Sequence, residues 1–149
     1  MLKSITIYLK ENRMKLAENP KVFLGGTCNN STWRNRLIPH LQIEYFNPVV
    51  EDWTPECQEE EIHQRQNCDL VLYTITPKMT GVYSIAEVVD DSNKRPEKTV
   101  LCLIEKDDGV EFDKTQWKSL LSVGKLVEAN GGKIYINITM SDLAGKLLE

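Results

Sequence analysis

No stretch of this 149-residue sequence approaches the run of about 20 apolar residues that a bilayer-crossing helix requires. The opening MLKSITIYLKENRMK carries a short apolar patch, with no long apolar core and no small-residue cleavage site. No signal peptide is read there, and a cytoplasmic location is expected. Basic residues are scattered and the net charge is −4. A surface for a nucleic-acid polymer needs clustered cations that displace counterions from phosphates, so such a partner is not expected. A single small nucleotide needs only a few donors and stays open. Neither a C-x-x-C pair nor a close pair of histidines occurs among the four cysteines (Cys28, Cys57, Cys68, Cys102) and the isolated His40 and His63. Zinc sites use close pairs, so no metal and no cofactor is expected, and the thiols read as reduced. Repeats, low-complexity segments and interdomain linkers are also missing. The expectation is one domain over residues 1–149, with 1–19 as an N-terminal extension or edge element. Within it ITIYL alternates like a strand and KENRMKLAEN reads like a helix.

What is present is an alternation. KVFLGG (21–26), Ile43 to Val50, DLVLYTI (69–75), TVLCLIE (99–105) and KIYIN (133–137) read as strands. Helices are expected from Trp33 to about Leu41, shortened or kinked by Pro39, and from Pro55 to Asn67 with Thr54 as N-cap. Others are expected over 81–91, over 113–129 with a stop at Gly131-Gly132, and over 139–148. Ser31 or Thr32 is the expected cap of the first of these. Strands alternating with helices predict an α/β fold, a doubly wound five-stranded parallel sheet with helices on both faces. Ligands in such folds bind beyond the carboxyl ends of the strands, where the strand order reverses. That directs attention to the loops 25–33 and 76–87.

The first loop reads G-G-T-C-N-N-S-T-W-R. Gly25 and Gly26 would let a ligand approach the backbone, Thr27, Asn29, Asn30 and Ser31 offer short polar groups, and the helix start adds free N–H donors. The G-K-[ST] ending of a P-loop and the G-x-G-x-x-G pattern are both missing. The second reads T-G-V-Y-S-I-A-E. Tyr83, Ser84 and Glu87 stand three and four apart and share a helix face. Trp33, Trp53 and Tyr83 are candidates to stack on a nucleobase, and Trp117 reads as core. In the run from Glu56 to Glu61, Glu56, Glu59 and Glu60 read as a solvated face, whereas Glu61 stands either with them or facing the crevice.

K-V-F-L-G-G-T, then W-R, F-N-P, N-C-D-L-V-L-Y and T-G-V-Y-S-I-A-E follow in one order over about residues 21–105. This order and spacing resemble the nucleoside 2-deoxyribosyltransferase family. The resemblance implies a flavodoxin-like fold and cleavage of the N-glycosidic bond of a 2′-deoxynucleoside or its 5′-monophosphate. The deoxyribosyl group then passes to another base or to water through a covalent glycosyl-enzyme. It places the nucleophile on Glu87 and the acidic residue that assists the leaving base on Glu61, with Asp69 structural or supporting the site. A further family aspartate falls on Gly81, which removes one acid-base candidate, and the aromatic that some members carry after the first strand is replaced by Gly-Gly-Thr-Cys. Tyr83 or Trp33 would have to stand in for it. Gly25, Gly26, Thr27 and Asn29 are expected to line the pocket and Ser84 to hold a sugar hydroxyl or phosphate. Family members assemble, so a homodimer or higher homo-oligomer is expected. The alternative is a nucleotide-binding module on the same fold without turnover. A phosphoacceptor domain is disfavoured, because Gly25-Gly26 and Thr76-Pro77 stand where its acidic residues belong.

Overall fold

The computed structural model describes residues 19–28 and 30–149, so the expectations for 1–18 and for Asn29 lie outside the described residues. Five parallel strands form the main sheet in the order β2-β1-β3-β4-β7. These are β1 (Lys21–Gly26), β2 (Glu44–Phe46), β3 (Leu70–Ile75), β4 (Thr99–Leu103) and β7 (Lys133–Ile136). The order reverses between β1 and β3, which is the doubly wound, flavodoxin-like arrangement. Alternate residues of each strand face opposite sides. Val22, Leu24, Leu72, Val100 and Cys102 pack with Trp33 and Leu37 of α1 (Trp33–Leu37) and with Met140 and Leu143 of α5 (Met140–Lys146). Phe23, Val71, Tyr73, Leu101 and Leu103 pack on the other side with Val88 of α3 (Tyr83–Lys94) and with Leu120 and Val127 of α4 (Lys114–Ala129).

The remaining helix, α2 (Pro55–Asn67), differs from these. It starts as expected, with the Thr54 side chain accepting from the Cys57 N–H, yet none of its residues is buried. Its sequence, PECQEEEIHQRQN, has no apolar stripe to drive it onto the sheet. Polar contacts hold it, chiefly through Arg65.

Several boundaries differ from expectation. The second strand is three residues long, not eight, because Asn47 and Pro48 turn the chain away. The first helix ends at Leu37 and continues as a 3-10 turn over Ile38–His40, where Pro39 removes a backbone donor. The loop after β4 contains a small hairpin, β5 (Lys106–Asp107) with β6 (Val110–Glu111), closed by Asp108 and Gly109 at positive φ. Thr32 precedes α1 but makes no side-chain cap. Its hydroxyl and that of Ser31 donate instead to Asp108 and Asp107. Among the described residues no helix is long and apolar enough to cross a membrane. All four cysteines are free.

Candidate active site

At the switch point the β1–α1 and β3–α3 loops lie side by side beyond the strand ends. The Thr27 N–H donates to the Thr74 carbonyl, and the Thr76 N–H donates to Thr27 Oγ1 at 2.9 Å. The hairpin clamps both loops. Asp107 accepts from Arg36 at 2.6 Å and from Ser31 at 3.2 Å, and Asp108 accepts from Thr32 and from Lys78 at 3.0 Å. Lys78 also reaches the Asn30 carbonyl at 3.1 Å.

Glu87 lies in the second turn of α3, its side chain 16% exposed. Its Oε2 is 3.3 Å from Nη1 of Arg65, which projects from α2. Arg65 also donates from Nε to Asp91 Oδ2 at 3.2 Å and from Nη2 to Asp91 Oδ1 at 3.0 Å, and reaches Asp90 at 3.5 Å. Asp91 is fully buried and accepts from the Tyr73 hydroxyl of β3. Burial is the main force on Glu87 and favours its neutral form. Arg65 opposes it, Glu61 and Asp91 reinforce it, and the carboxyl is pushed up to about 7. Glu61 is half-buried and lies within electrostatic reach of Glu87, Arg65 and Arg34. Burial raises its pKa as well, against the pull of Arg65 and then Arg34. The helix therefore half-buries Glu61 and leaves Glu56, Glu59 and Glu60 in solvent. Both carboxyls are thus raised, Glu61 and Glu87 alike.

The other candidates divide. Tyr83 is 70% exposed and Trp53 60% exposed, so both have ring faces free to meet a ligand. Ser84 is half-buried in the first turn of α3. Gly81 is exposed, and a Cβ there would meet nothing within 4 Å.

Trp33 is a correction. It is fully buried, and its indole N–H donates to the Thr27 carbonyl at 2.8 Å, so it packs in the core and is not available to stack on a base. Asp69 is another. It accepts from the Lys21 N–H at 2.8 Å at the amino end of the sheet, where it ties β1 to the start of β3. Gly25, Gly26 and Thr27 sit at the switch point for structural reasons. A Cβ on Gly25 would lie 2.7 Å from the Tyr73 ring, and Thr27 is buried with its hydroxyl committed to Thr76. These residues shape the floor and offer no free side-chain donor.

Arg34, Arg65, Tyr73 and Asp91 were missed from the sequence. The signal was the i, i+4 spacing. Arg65 follows Glu61 by four and Asp91 follows Glu87 by four, which places each pair on one helix face. Arg34 is buried and donates to the carbonyls of Leu24 at 2.9 Å and Thr27 at 2.7 Å, ordering the end of β1. A cavity of about 860 Å³ lies on the α1/α5 side between Arg36, Lys106 and Ser141, and one of about 550 Å³ lies at the amino end near Cys68 and Lys98. Neither is lined by Glu61 or Glu87.

A flavodoxin-like α/β domain with a carboxylate pair at its switch point is the class that this fold and site define. The profile described as nucleoside 2-deoxyribosyltransferase like matches residues 19–106, and the chain belongs to that family. The match runs from the residues before β1 into the hairpin after β4 and spans every residue of the carboxylate network. Neither the curated proteins nor the solved structures contain a match to this chain.

Proposed function

We propose that the chain cleaves the N-glycosidic bond of a 2′-deoxynucleoside or its 5′-monophosphate through a covalent glycosyl-enzyme. The observation that carries this is that Glu87 and Glu61, on two helices, are both half-buried and lie within electrostatic reach of one another. In the first step a Glu87 carboxylate oxygen attacks C1′. The C1′–N bond breaks, its electron pair passes to the base, and Glu61 supplies the proton that neutralises it. In the second step the nitrogen of an incoming base or a water oxygen attacks C1′. Glu61 takes up the proton and the Glu87 carboxylate is regenerated. The transition states carry positive charge on the sugar ring, which the adjacent carboxylates stabilise. Tyr83 would stack on the base, and Ser84 with the first N–H groups of α3 would bind a sugar hydroxyl or phosphate.

The rings of Tyr83 and Trp53 are exposed, and a second copy of the chain covering them is part of the proposal. So is action in the cytoplasm on a free small molecule. A second reading, binding without turnover, draws on Gly81, where no acid stands. The test is incubation with a panel of deoxynucleosides and their monophosphates, with and without a second base, following released base by chromatography. Release of base from a panel member, abolished in Glu87→Ala, is the expected result. Saturable binding of a panel member with no base release would move the assignment to the second reading.

A further inference from the structure

Arg65 of α2 stands against three carboxylates of α3, those of Glu87, Asp90 and Asp91. Nε and Nη2 bond the two oxygens of Asp91 as a fork, which fixes the guanidinium plane. Asp91 is in turn held by the Tyr73 hydroxyl and by Arg95, whose Nε is 3.2 Å away. With that edge committed to Asp91, Nη1 lies 3.3 Å from Glu87 Oε2 as an ion pair. The Arg65 side chain is 11% exposed, so solvent screens little of this contact. We propose that Arg65 is a positioning residue for Glu87: anchored by Asp91, which Tyr73 holds in turn, it keeps a fixed positive charge beside one carboxylate oxygen, Oε2. This rests on the reading of Glu87 as the nucleophile.

The groups acting on Glu87 are Glu61 and Arg65 from α2, Asp91 from its own helix, and Tyr73 from β3, while Asp90 and Arg34 act one step further out through Arg65 and Glu61. Burial, Glu61 and Asp91 all favour the neutral carboxyl, and Arg65 works against them. When Glu87 becomes an ester its charge disappears, and Arg65 still has Asp91 as a partner, so no buried cation is stranded. When the ester breaks, the returning carboxylate meets a guanidinium already in place, which spares reorganisation. Lysine keeps the charge but has a compact ammonium, and it cannot fork Asp91 while reaching Glu87. A purely structural tie between α2 and α3 would require the two helices to be joined and nothing of Glu87's ionisation.

The experiment uses the full chain with Arg65→Gln and Arg65→Lys. Two quantities are read: the pH profile of kcat on a deoxynucleoside substrate, and the carboxyl titration of Glu87 by ¹³C NMR, assigned by its loss in Glu87→Gln. In Arg65→Gln the Glu87 titration and the acid limb of kcat should both move up by about one pH unit or more, as removal of an opposed charge at this distance predicts. In Arg65→Lys the titration should stay near wild type while kcat falls severalfold. A folded Arg65→Gln whose Glu87 titration does not move overturns the proposal. If Arg65→Gln does not fold, Arg65→Lys decides: wild-type kcat there overturns it, and a severalfold loss at an unmoved titration upholds it. A wild-type chain that releases no base, yet shows the shifted titration in Arg65→Gln, would remove the glycosidic reading and leave the Arg65–Glu87 coupling standing.

Discussion

A Cβ placed on Gly26 would lie 2.1 Å from the carbonyl oxygen of Thr74, its register partner on β3. Gly26 also has φ +110, a conformation that side chains resist. The close approach joins the two loops that carry the site, because the next N–H, that of Thr27, donates to the same carbonyl. Gly26→Ala should therefore cost about 2–4 kcal/mol, combining strain with displacement of the β1–β3 edge. Gly81→Ala, at an exposed position with nothing within 4 Å, should change stability by no more than about 0.5 kcal/mol. Urea unfolding of the two variants makes the comparison, and equal midpoints would contradict it.

Glu87→Ala should retain the fold and lower base release by about 10³-fold or more, since a covalent route cannot begin without the carboxylate. Single-turnover assays beside a thermal melt separate loss of chemistry from loss of structure. Turnover within tenfold of wild type would exclude the nucleophile role.

Glu61→Gln keeps the shape of the side chain and removes its proton chemistry. A good leaving base departs with little help, whereas a poor one needs the proton. The variant should slow release of poor leaving bases by about 10–100-fold more than good ones. Equal slowing across a series of bases would leave Glu61 with an electrostatic role only.

The Glu87 carboxyl also links stability to pH. Its native pKa, raised from the ordinary 4.5 to about 7, means that the folded state holds the proton more tightly than the unfolded chain. That contribution is fully present below the unfolded value and is lost as pH rises through about 7. Glu87→Gln removes the titration. The melting temperature of Glu87→Gln relative to wild type should be higher at pH 8 than at pH 4. Parallel pH dependence in the two proteins would show that Glu87 does not titrate in this window.

The elements themselves were legible in the chain. Apolar runs such as KVFLGG and DLVLYTI can be stable only with both faces covered, and Thr54-Pro55 and Gly131 fix helix ends through local donors and backbone geometry. That Tyr83, Ser84 and Glu87 lie on one helix was legible because their spacing is a property of any helix, whereas the choice of Glu87 came from the family resemblance. Trp33 was misread, since an aromatic beside a loop looks the same whether its ring meets a ligand or, as here, the core beneath α1. The hairpin over 106–111 was missed because its pairs are only two residues long and carry no alternating pattern.

The sequence by itself thus determined the parallel sheet, the loops at its switch point and the helix face that bears Glu87, because periodicity and capping are local properties. Only the tertiary structure decided that Glu61 is half-buried within electrostatic reach of Glu87 while Glu60 faces water. It alone placed Asp69 at the amino end of the sheet and brought Arg65 of α2 and Tyr73 of β3 to the α3 face that bears Glu87 and Asp91. Those outcomes depend on where α2 sits over the sheet. That helix has no apolar stripe, so its position is set by long-range ion pairs, which leave no periodic trace in the chain.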